Sequence, residues 1–449
     1  SYPVNLIPVP KNQGISSGYL RPSEGVVALN NATGGIDRGG YNWNDVHYRV
    51  IGTFLYKVYA DGYLNNLGAV GGNDKVKFAQ SFDQIAICAN RILYYYNGTT
   101  LSQITDHDLG DSLDIIWIDG YFVSTDGEFI VVSELDNPTS YDATKFGSSE
   151  VDPDPIVALH KIRNEIYAVN RNTIEVFNNT GASGFPFQRV PSAQITRGAV
   201  SRDCTAQYDD SIVFIGGRKN EALAVWIASN GNVQKVSTRE IEQIIKENTE
   251  AEHAARTKIE VRFFDTHQLI YFHLPNQTVV YDVAASQALQ ETVWHRLRGG
   301  VGVNDVYSAR NFVYVYDRWH CGHKDENQIG YLSNTLQSQW GNVVSWEFDI
   351  QLIYNEGNGA LVRELELIPI TGNAALGEDP KIYTQYTHDG INYSNPKFVS
   401  VGKQGNRIKR VVWRNNGQLK RVRGQKFTGD SNGFISIARL EAQFEGLLW

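Results

Sequence analysis

Methionine is absent from all 449 residues, and cysteine occurs only three times, as Cys88, Cys204 and Cys321. Thiols so few and so scattered argue against a disulfide framework and fit a reducing compartment. No apolar run approaches the ~18 residues needed to cross a bilayer, so no membrane anchor is expected. Ser1 to Pro10 has no basic segment followed by a long apolar stretch, so no signal peptide is expected either. With no initiator methionine, the native N-terminus is expected to have been removed or to lie upstream of Ser1. Positive charge is in deficit: 41 Lys and Arg against 49 Asp and Glu give a net charge of −8 and a pI near 5.7. That excludes a nucleic-acid binder held by bulk positive charge. The chain also lacks a Gly-x-Ser-x-Gly elbow, a phosphate-binding Gly-Lys-Ser/Thr loop and a His-Glu-x-x-His helix. No catalytic site, metal or cofactor is expected.

What the chain has in plenty is the material of β-sheet. Tyr, Phe and Trp reach 12 %, and many of the 41 glycines follow Asn or Asp, the chemistry of tight hairpins. Short β-runs alternate with two- or three-residue turns. Ile85 to Cys88 turns at Asn90, Ile92 to Tyr96 turns at Asn97-Gly98, and Thr99 to Ile104 follows. Ile115 to Ile118, Tyr121 to Ser124 and Phe129 to Ser133 repeat the pattern, with turns at Asp119-Gly120 and Asp126-Gly127. Loops this short join only antiparallel neighbours. The first turns recur near residues 52, 90, 120, 164, 210, 266 and 310, around the ~40–50-residue period of propeller blades. One helix interrupts them: Ser237-Thr238-Arg239-Glu240 has capping-box form and Ile241, Ile244 and Ile245 follow at helical spacing.

The expected fold is therefore all-β. Residues 1–40, rich in Pro, Gly, Ser and Asn, read as an extended N-terminal arm. Residues 41–335 read as an irregular six- or seven-bladed β-propeller, the rival being two stacked β-sandwiches. Residues 336–449 read as a C-terminal β-sandwich, with longer alternating strands from Val344 to Tyr354 through to Phe434 to Phe444 and a loop from Thr371 to Pro380 holding Gly372 and Gly377.

Three features could carry chemistry. Asp126-Gly127 and Asp389-Gly390 resemble the Asp boxes of sialidase propellers, which are turn motifs and not catalytic groups, and two Asp-Gly hairpin turns explain both. Trp319-His320-Cys321-Gly322-His323 is the densest metal-capable set, but it lacks the second ligand pair that zinc sites use and reads as a loop between strands. The third departs from the acidic whole. Val401 to Phe427 carries nine basic residues and no acidic one: Lys403, Arg407, Lys409, Arg410, Arg414, Lys420, Arg421, Arg423 and Lys426. It is either a solvated strand face or a surface facing an acidic protein partner or packaged DNA. Strand alternation keeps neighbours such as Lys409-Arg410 and Lys420-Arg421 from all sharing one face.

Tyr2-Pro3-Val4-Asn5-Leu6 followed by Ser16-Ser17-Gly18-Tyr19-Leu20-Arg21 resembles the start of the packaged-DNA stabilisation proteins of short-tailed bacteriophages, also called tail hub or tail accessory proteins. The likeness continues at Asn172-Thr173-Ile174-Glu175-Val176-Phe177 and at Phe264-Asp265-Thr266-His267-Gln268-Leu269-Ile270. Beyond these it returns at His273-Leu274-Pro275, Val280-Tyr281-Asp282, Ser286-Gln287, Cys321-Gly322, Asp389-Gly390-Ile391-Asn392-Tyr393 and Val412-Trp413-Arg414, in order along nearly the whole chain. The resemblance implies a non-enzymatic virion protein of the phage tail, assembled in the host bacterial cytoplasm. It implies a homo-hexamer beneath the portal and its adaptor ring protein, closing the filled head, retaining packaged DNA and anchoring tailspikes and tail needle. The alternatives are a carbohydrate-binding or glycan-cleaving propeller, which would need Arg, Asp, Glu and Tyr clustered at the central pocket, and a scaffold propeller of a host cell.

Overall fold

Two-residue turns set the architecture. At Asn44-Asp45, Asn90-Arg91, Asp119-Gly120 and Tyr316-Asp317 both central residues have positive φ, between 50° and 84°. That geometry matches the right-handed twist of flanking strands, and Asn, Asp and Gly tolerate it best. The computed structural model describes residues 2–11, 18–31, 34–149, 151–352, 359–370, 374, 376–433 and 435–447. Ser16-Ser17, Tyr354, Gly372 and Phe434, singled out above, lie outside the described residues.

Between Gly25 and Ser333 the chain forms seven antiparallel sheets, six of four strands and one of five. Blade 1 holds Asp37–Trp43, Val46–Ile51, Phe54–Val58 and Leu64–Ala69. Blade 2 holds Lys77–Gln80, Ile85–Ala89, Ile92–Tyr96 and Leu101–Gln103. Blade 3 holds Asp114–Ile118, Tyr121–Thr125, Phe129–Glu134 and Asn137–Ser148. Blade 4 holds Ile156–Ile162, Glu165–Asn170, Ile174–Asn179 and Phe187–Arg189. In blade 5, Gly198–Ala199 and Thr205–Tyr208 share one edge of Ser211–Gly217, and Ala224–Ser229 and Asn232–Lys235 complete the sheet. Blade 6 holds Lys258–Phe264, His267–His273, Thr278–Asp282 and Trp294–Leu297. Blade 7 takes Ala309–Val315, Arg318–His323 and Gln328–Ser333, with Gly25–Asn31 as its outer strand.

The first strands touch in succession, and that of blade 7 meets that of blade 1, so the ring is closed. The apolar core is divided accordingly, one layer between each pair of neighbours. Val50 and Leu55 meet Ile85 and Ile87 between blades 1 and 2; Val213 and Ile215 meet Ile270 and Phe272 between blades 5 and 6. Ile51 and Val58 meet Ile329 at the closure. Strands buried on both faces read as continuous apolar runs, as Ile85–Ala89 does.

The repeat is shifted from the one legible in the sequence. The turns near 52 and 90 join second to third strands, and residue 310 lies inside a strand. The alternation is diluted in two inner strands, by Gly39-Gly40 in Asp37–Trp43 and by Lys77 and Gln80 in Lys77–Gln80. Three α-helices occur among the described residues: α1, Arg239–Lys246; α2, Glu250–Arg256; and α3, Val283–Leu289. The full capping box belongs to α2, between Thr249 and Glu252, and α1 is capped by Thr238.

The C-terminal sandwich stacks two sheets. One orders Ser345–Leu352, Arg423–Asp430, Lys381–Thr387 and Lys397–Ser400. The other places Ala360–Pro369 between Ile437–Gly446 and Val411–Arg414, with Gln418–Leu419 alongside. Trp346, Phe348, Leu365, Leu367, Ile382, Val411, Trp413 and Phe427 fill the core.

The described residues between 2 and 40, expected to be an extended arm, are instead paired into both units. The hairpin Leu6–Pro10 and Gly18–Pro22 joins the second sandwich sheet through Leu20 opposite Ile437. Gly25–Asn31 completes blade 7 and Asp37–Trp43 is the inner strand of blade 1. Val4 bonds with Glu347 of the sandwich in both directions (2.8 and 3.1 Å), while Pro3 and Asn5 bond Arg296 of blade 6 (2.8 and 2.9 Å). The buried Asn5, at φ 53°, donates to the carbonyls of Arg298 (3.1 Å) and Ser345 (2.7 Å) and accepts from the Arg298 amide (2.9 Å). Leu6, fully buried, enters the sandwich core, and Tyr2 packs on the layer between blades 5 and 6. The segment's described residues are held because apolar side chains and backbone groups on both units receive them.

Candidate functional site

The basic run of the sandwich does not form one surface. Arg423 is buried in the sandwich: it donates to the carbonyl of Asn416 (2.6 Å) and to Gln425 (2.9 Å), and it stacks 3.9 Å over the Tyr386 ring. Burial lowers its guanidinium to about 10. Arg410 pairs with Glu366 and Glu364, Arg414 with Glu364 (3.3 Å), and Lys426 with Glu347 (3.0 Å), so these three are neutralised across the strands. Lys403, Arg407, Lys409, Lys420 and Arg421 remain exposed with no ion pair among the described residues. They sit at opposite ends. Val411 is opposite Leu367 and Leu419 opposite Ala360, a separation of roughly 23 Å at the rise of a strand. The 403–409 loop lies at the end next to the propeller, where Ser345 bonds Gly300 (3.2 Å). Lys420 and Arg421 lie at the far end, beside Leu352.

The other two sequence features are structural. Trp319 to His323 is not a loop but most of the second strand of blade 7. His320 and Cys321 are buried, His320 against the His47 ring (4.9 Å), and no metal-binding cluster occurs among the described residues. Asp126 accepts from the amides of Glu128 (2.8 Å) and Phe129 (2.7 Å), and Asp389 from those of Ile391 and Asn392 (both 2.8 Å). Each carboxylate holds its own turn; at Asp389 these bonds hold the carboxyl well below its usual range.

The largest-scale feature is the propeller axis. Inner strands of all seven blades line a cavity of about 690 Å³. Buried polar groups stitch its wall from blade to blade. Asp114 of blade 3 accepts from the Leu159 amide of blade 4 (2.8 Å). His160 of blade 4 bonds Thr205 of blade 5 (2.7 Å). Glu260 of blade 6 accepts from the Asn311 (2.9 Å) and Phe312 (3.0 Å) amides of blade 7. Asp37 of blade 1 pairs with Arg49 (2.7 Å), which donates to the Asn311 carbonyl (2.9 Å). These bonds satisfy the inner edges that an open ring of strands would leave bare. The charged groups of the lining are Lys77, Lys161, Lys258 and Glu260. Glu260 lies 3.2 Å from His273 and 3.7 Å from Lys258; burial opposes its ionisation, but Lys258 and His273 hold it well below the usual carboxylate range. The lining contains no Arg and no Asp, so the Arg, Asp, Glu and Tyr cluster of a glycan-cleaving propeller is not assembled by it. The channel lysines escape sequence reasoning because about 80 to 100 residues separate one from the next and no local pattern marks them.

A third surface follows from turn chemistry. The turns between first and second strands share one face of the propeller, and six of the seven carry aspartate: Asp45, Asp83, Asp119, Asp209 with Asp210, Asp265 and Asp317. Blade 4 has Arg163-Asn164 there, with Arg163 on Asp210 (2.8 Å). That face carries aspartate in six of its seven first turns; the sandwich is bonded to the connection from blade 6 to blade 7 through Ser345 and Gly300 (3.2 Å), and Arg21 of the N-terminal hairpin reaches Asp265 of the turn face (3.7 Å).

Comparison with known proteins adds the following. Residues 1–337 match the family model described as bacteriophage P22 Gp10, β-propeller, and residues 345–445 the one described as bacteriophage P22 Gp10, β-sandwich. The chain is 29 % identical over 463 aligned residues to the tail hub protein gp10 of Salmonella phage P22, covering 99 % of this chain and 95 % of that one. Among solved structures, the Pan2 WD40 domain of Neurospora crassa aligns at TM-score 0.43 and 12 % identity, over 69 % of this chain and 94 % of that one. The N-terminal domain of Nup159 aligns at TM-score 0.43 and 7 % identity, over 72 % and 97 %.

Proposed function

This chain belongs to the bacteriophage P22 Gp10 family, and on that premise we propose that it is a structural tail hub protein of a phage virion, with no catalytic role. The observation that carries the reading is the alignment with a tail hub protein over 99 % of this chain, propeller and sandwich together. We further propose that it forms a homo-hexameric ring below the portal and its adaptor ring protein. There it closes the filled head, retains packaged DNA and anchors tailspikes and tail needle. A ring segment has to hold its shape while different partners grip different faces. Seven inter-blade core layers and the polar stitching of the inner strands support that stiffness. The aspartates of the turn face disfavour contact with the phosphate backbone. The two basic loops with no ion pair among the described residues, Lys403 with Arg407 and Lys409, and Lys420 with Arg421, are the proposed contacts with acidic partner surfaces.

The test is mass by light scattering, for the chain alone and then with the portal–adaptor complex of its phage. A discrete ring, or stable capture by the adaptor, is expected. A monomer that ignores the adaptor at micromolar concentration would overturn the hub reading.

A further inference from the structure

We propose that the axial channel of the propeller is a binding site for a multivalent oxyanion, held by Lys77, Lys161 and Lys258. The inference is independent of the tail hub reading. The three lysines come from alternate blades, 2, 4 and 6, and converge on one cavity of about 690 Å³. Lys258 begins its strand, Lys77 begins a shorter one, and Lys161 is next to last in its own. The nearby carboxylates are already engaged. Glu260 receives two backbone amides and lies 3.2 Å from His273 and 3.7 Å from Lys258. Asp203, behind the wall, pairs with Lys75 (3.7 Å) and Arg202 (3.5 Å). Lys77 and Lys161 have no ion pair among the described residues. Like charges gathered in a partly enclosed, low-dielectric space repel one another, and an anion reverses the sign of that energy.

Neighbouring groups define what the anion is attached to. Thr205 donates to the Arg202 carbonyl (2.7 Å), so its hydroxyl accepts from His160 Nε2–H, and His160 Nδ1 carries a lone pair. Histidine therefore offers the anion no proton, and the lysines hold it. Lys161 lies 5.0 Å over the Trp117 ring, and Trp117 meets Phe82 edge to face at 6.2 Å. Phe82 is 83 % exposed on the turn at the mouth. Carboxylates or phosphates spaced along a short chain with an apolar or aromatic end fit this arrangement. Their source is either a free small anion or an acidic segment of a partner protein.

Isothermal titration of the full chain with citrate, with inorganic phosphate and with an aromatic-capped hexaglutamate peptide tests the site. Binding is expected, weakened at least tenfold in Lys77→Gln/Lys161→Gln and unchanged in Lys403→Gln/Arg407→Gln/Lys409→Gln. The unliganded channel variant should melt no lower than the parent, since it removes repulsion. Tighter binding of citrate or phosphate identifies a free anion; tighter binding of the peptide identifies a protein segment. No heat with any of the three probes at millimolar concentration, or equal binding by the channel variant, overturns the proposal.

Discussion

Single residues carry much of the specificity of this fold. A Cβ on Gly429 would sit 2.3 Å from the buried ring of Trp346, so glycine is needed there for close approach. Gly429→Ala is expected to cost about 1–3 kcal/mol by overpacking, read as a lower urea midpoint. The nearest clashing atom, Cζ2, belongs to the fused ring that phenylalanine lacks, so Trp346→Phe combined with Gly429→Ala should lose less than the sum of the two. Histidines set the acid limit. Burial, with Lys77 adding to it, lowers His160 to about 3, and burial is the main cause that lowers His273, His295 and His320 to about 4. In the unfolded chain these imidazoles return to about 6.5. Between that value and about 4 the unfolded state binds more protons, so their contribution is complete above pH 6.5 and is lost as pH falls. Urea titrations from pH 7 to pH 4 should show the midpoint dropping steadily. A midpoint flat down to pH 4 would contradict neutral buried imidazoles.

Elements explain why the ends of the chain matter. Ser237 has the spacing of a helix cap, but its hydroxyl accepts from the Val225 amide (3.2 Å) and bonds Glu242 (3.1 Å). It therefore finishes blade 5, and Thr238 caps α1. The N-terminal segment acts likewise as a shared part. It supplies the last strand of blade 7 and a clip between blade 6 and the sandwich. Removing residues 2–22 should free the amides of Arg296 and Glu347, which now donate to Pro3 (2.8 Å) and Val4 (3.1 Å). Hydrogen exchange at those two amides is expected to rise at least about tenfold, an opening of about 1.4 kcal/mol or more, with the blade 3 core unchanged. If ring assembly survives the deletion, the segment is a clip within the chain and not a contact between chains.

At the scale of the molecule, charge is sorted by face. Turn positions that demand positive φ recruit aspartate on one propeller face, while cations without an ion pair among the described residues collect on the sandwich loops and, as Lys77 and Lys161, inside the channel. Charge reversal at Lys403, Arg407 and Lys409 should weaken capture by the adaptor complex and flatten its dependence on salt, without changing the melting temperature by more than a degree or two. These side chains are exposed and have no ion pair among the described residues, so folding does not depend on them. Reversal at Lys420 and Arg421 tests the far end separately.

The sequence by itself determined the all-β class, the division into propeller and sandwich, and the turn-rich character of the body, because period-two alternation and Asn-Gly or Asp-Gly turns are local properties. It determined α1 for the same reason, through isoleucines at helical spacing. Only the tertiary structure decided that seven sheets close the ring, that residues 25–31 close the last of them, and that the presumed arm is a clip. Those pairings join residues some 300 apart, and no local pattern encodes a partner at that distance. The basic run shows the converse. Its nine cations are contiguous in sequence, yet strand pairing buries one, neutralises three and separates the rest to two ends of a sheet, while three lysines remote in sequence meet on the axis of the propeller.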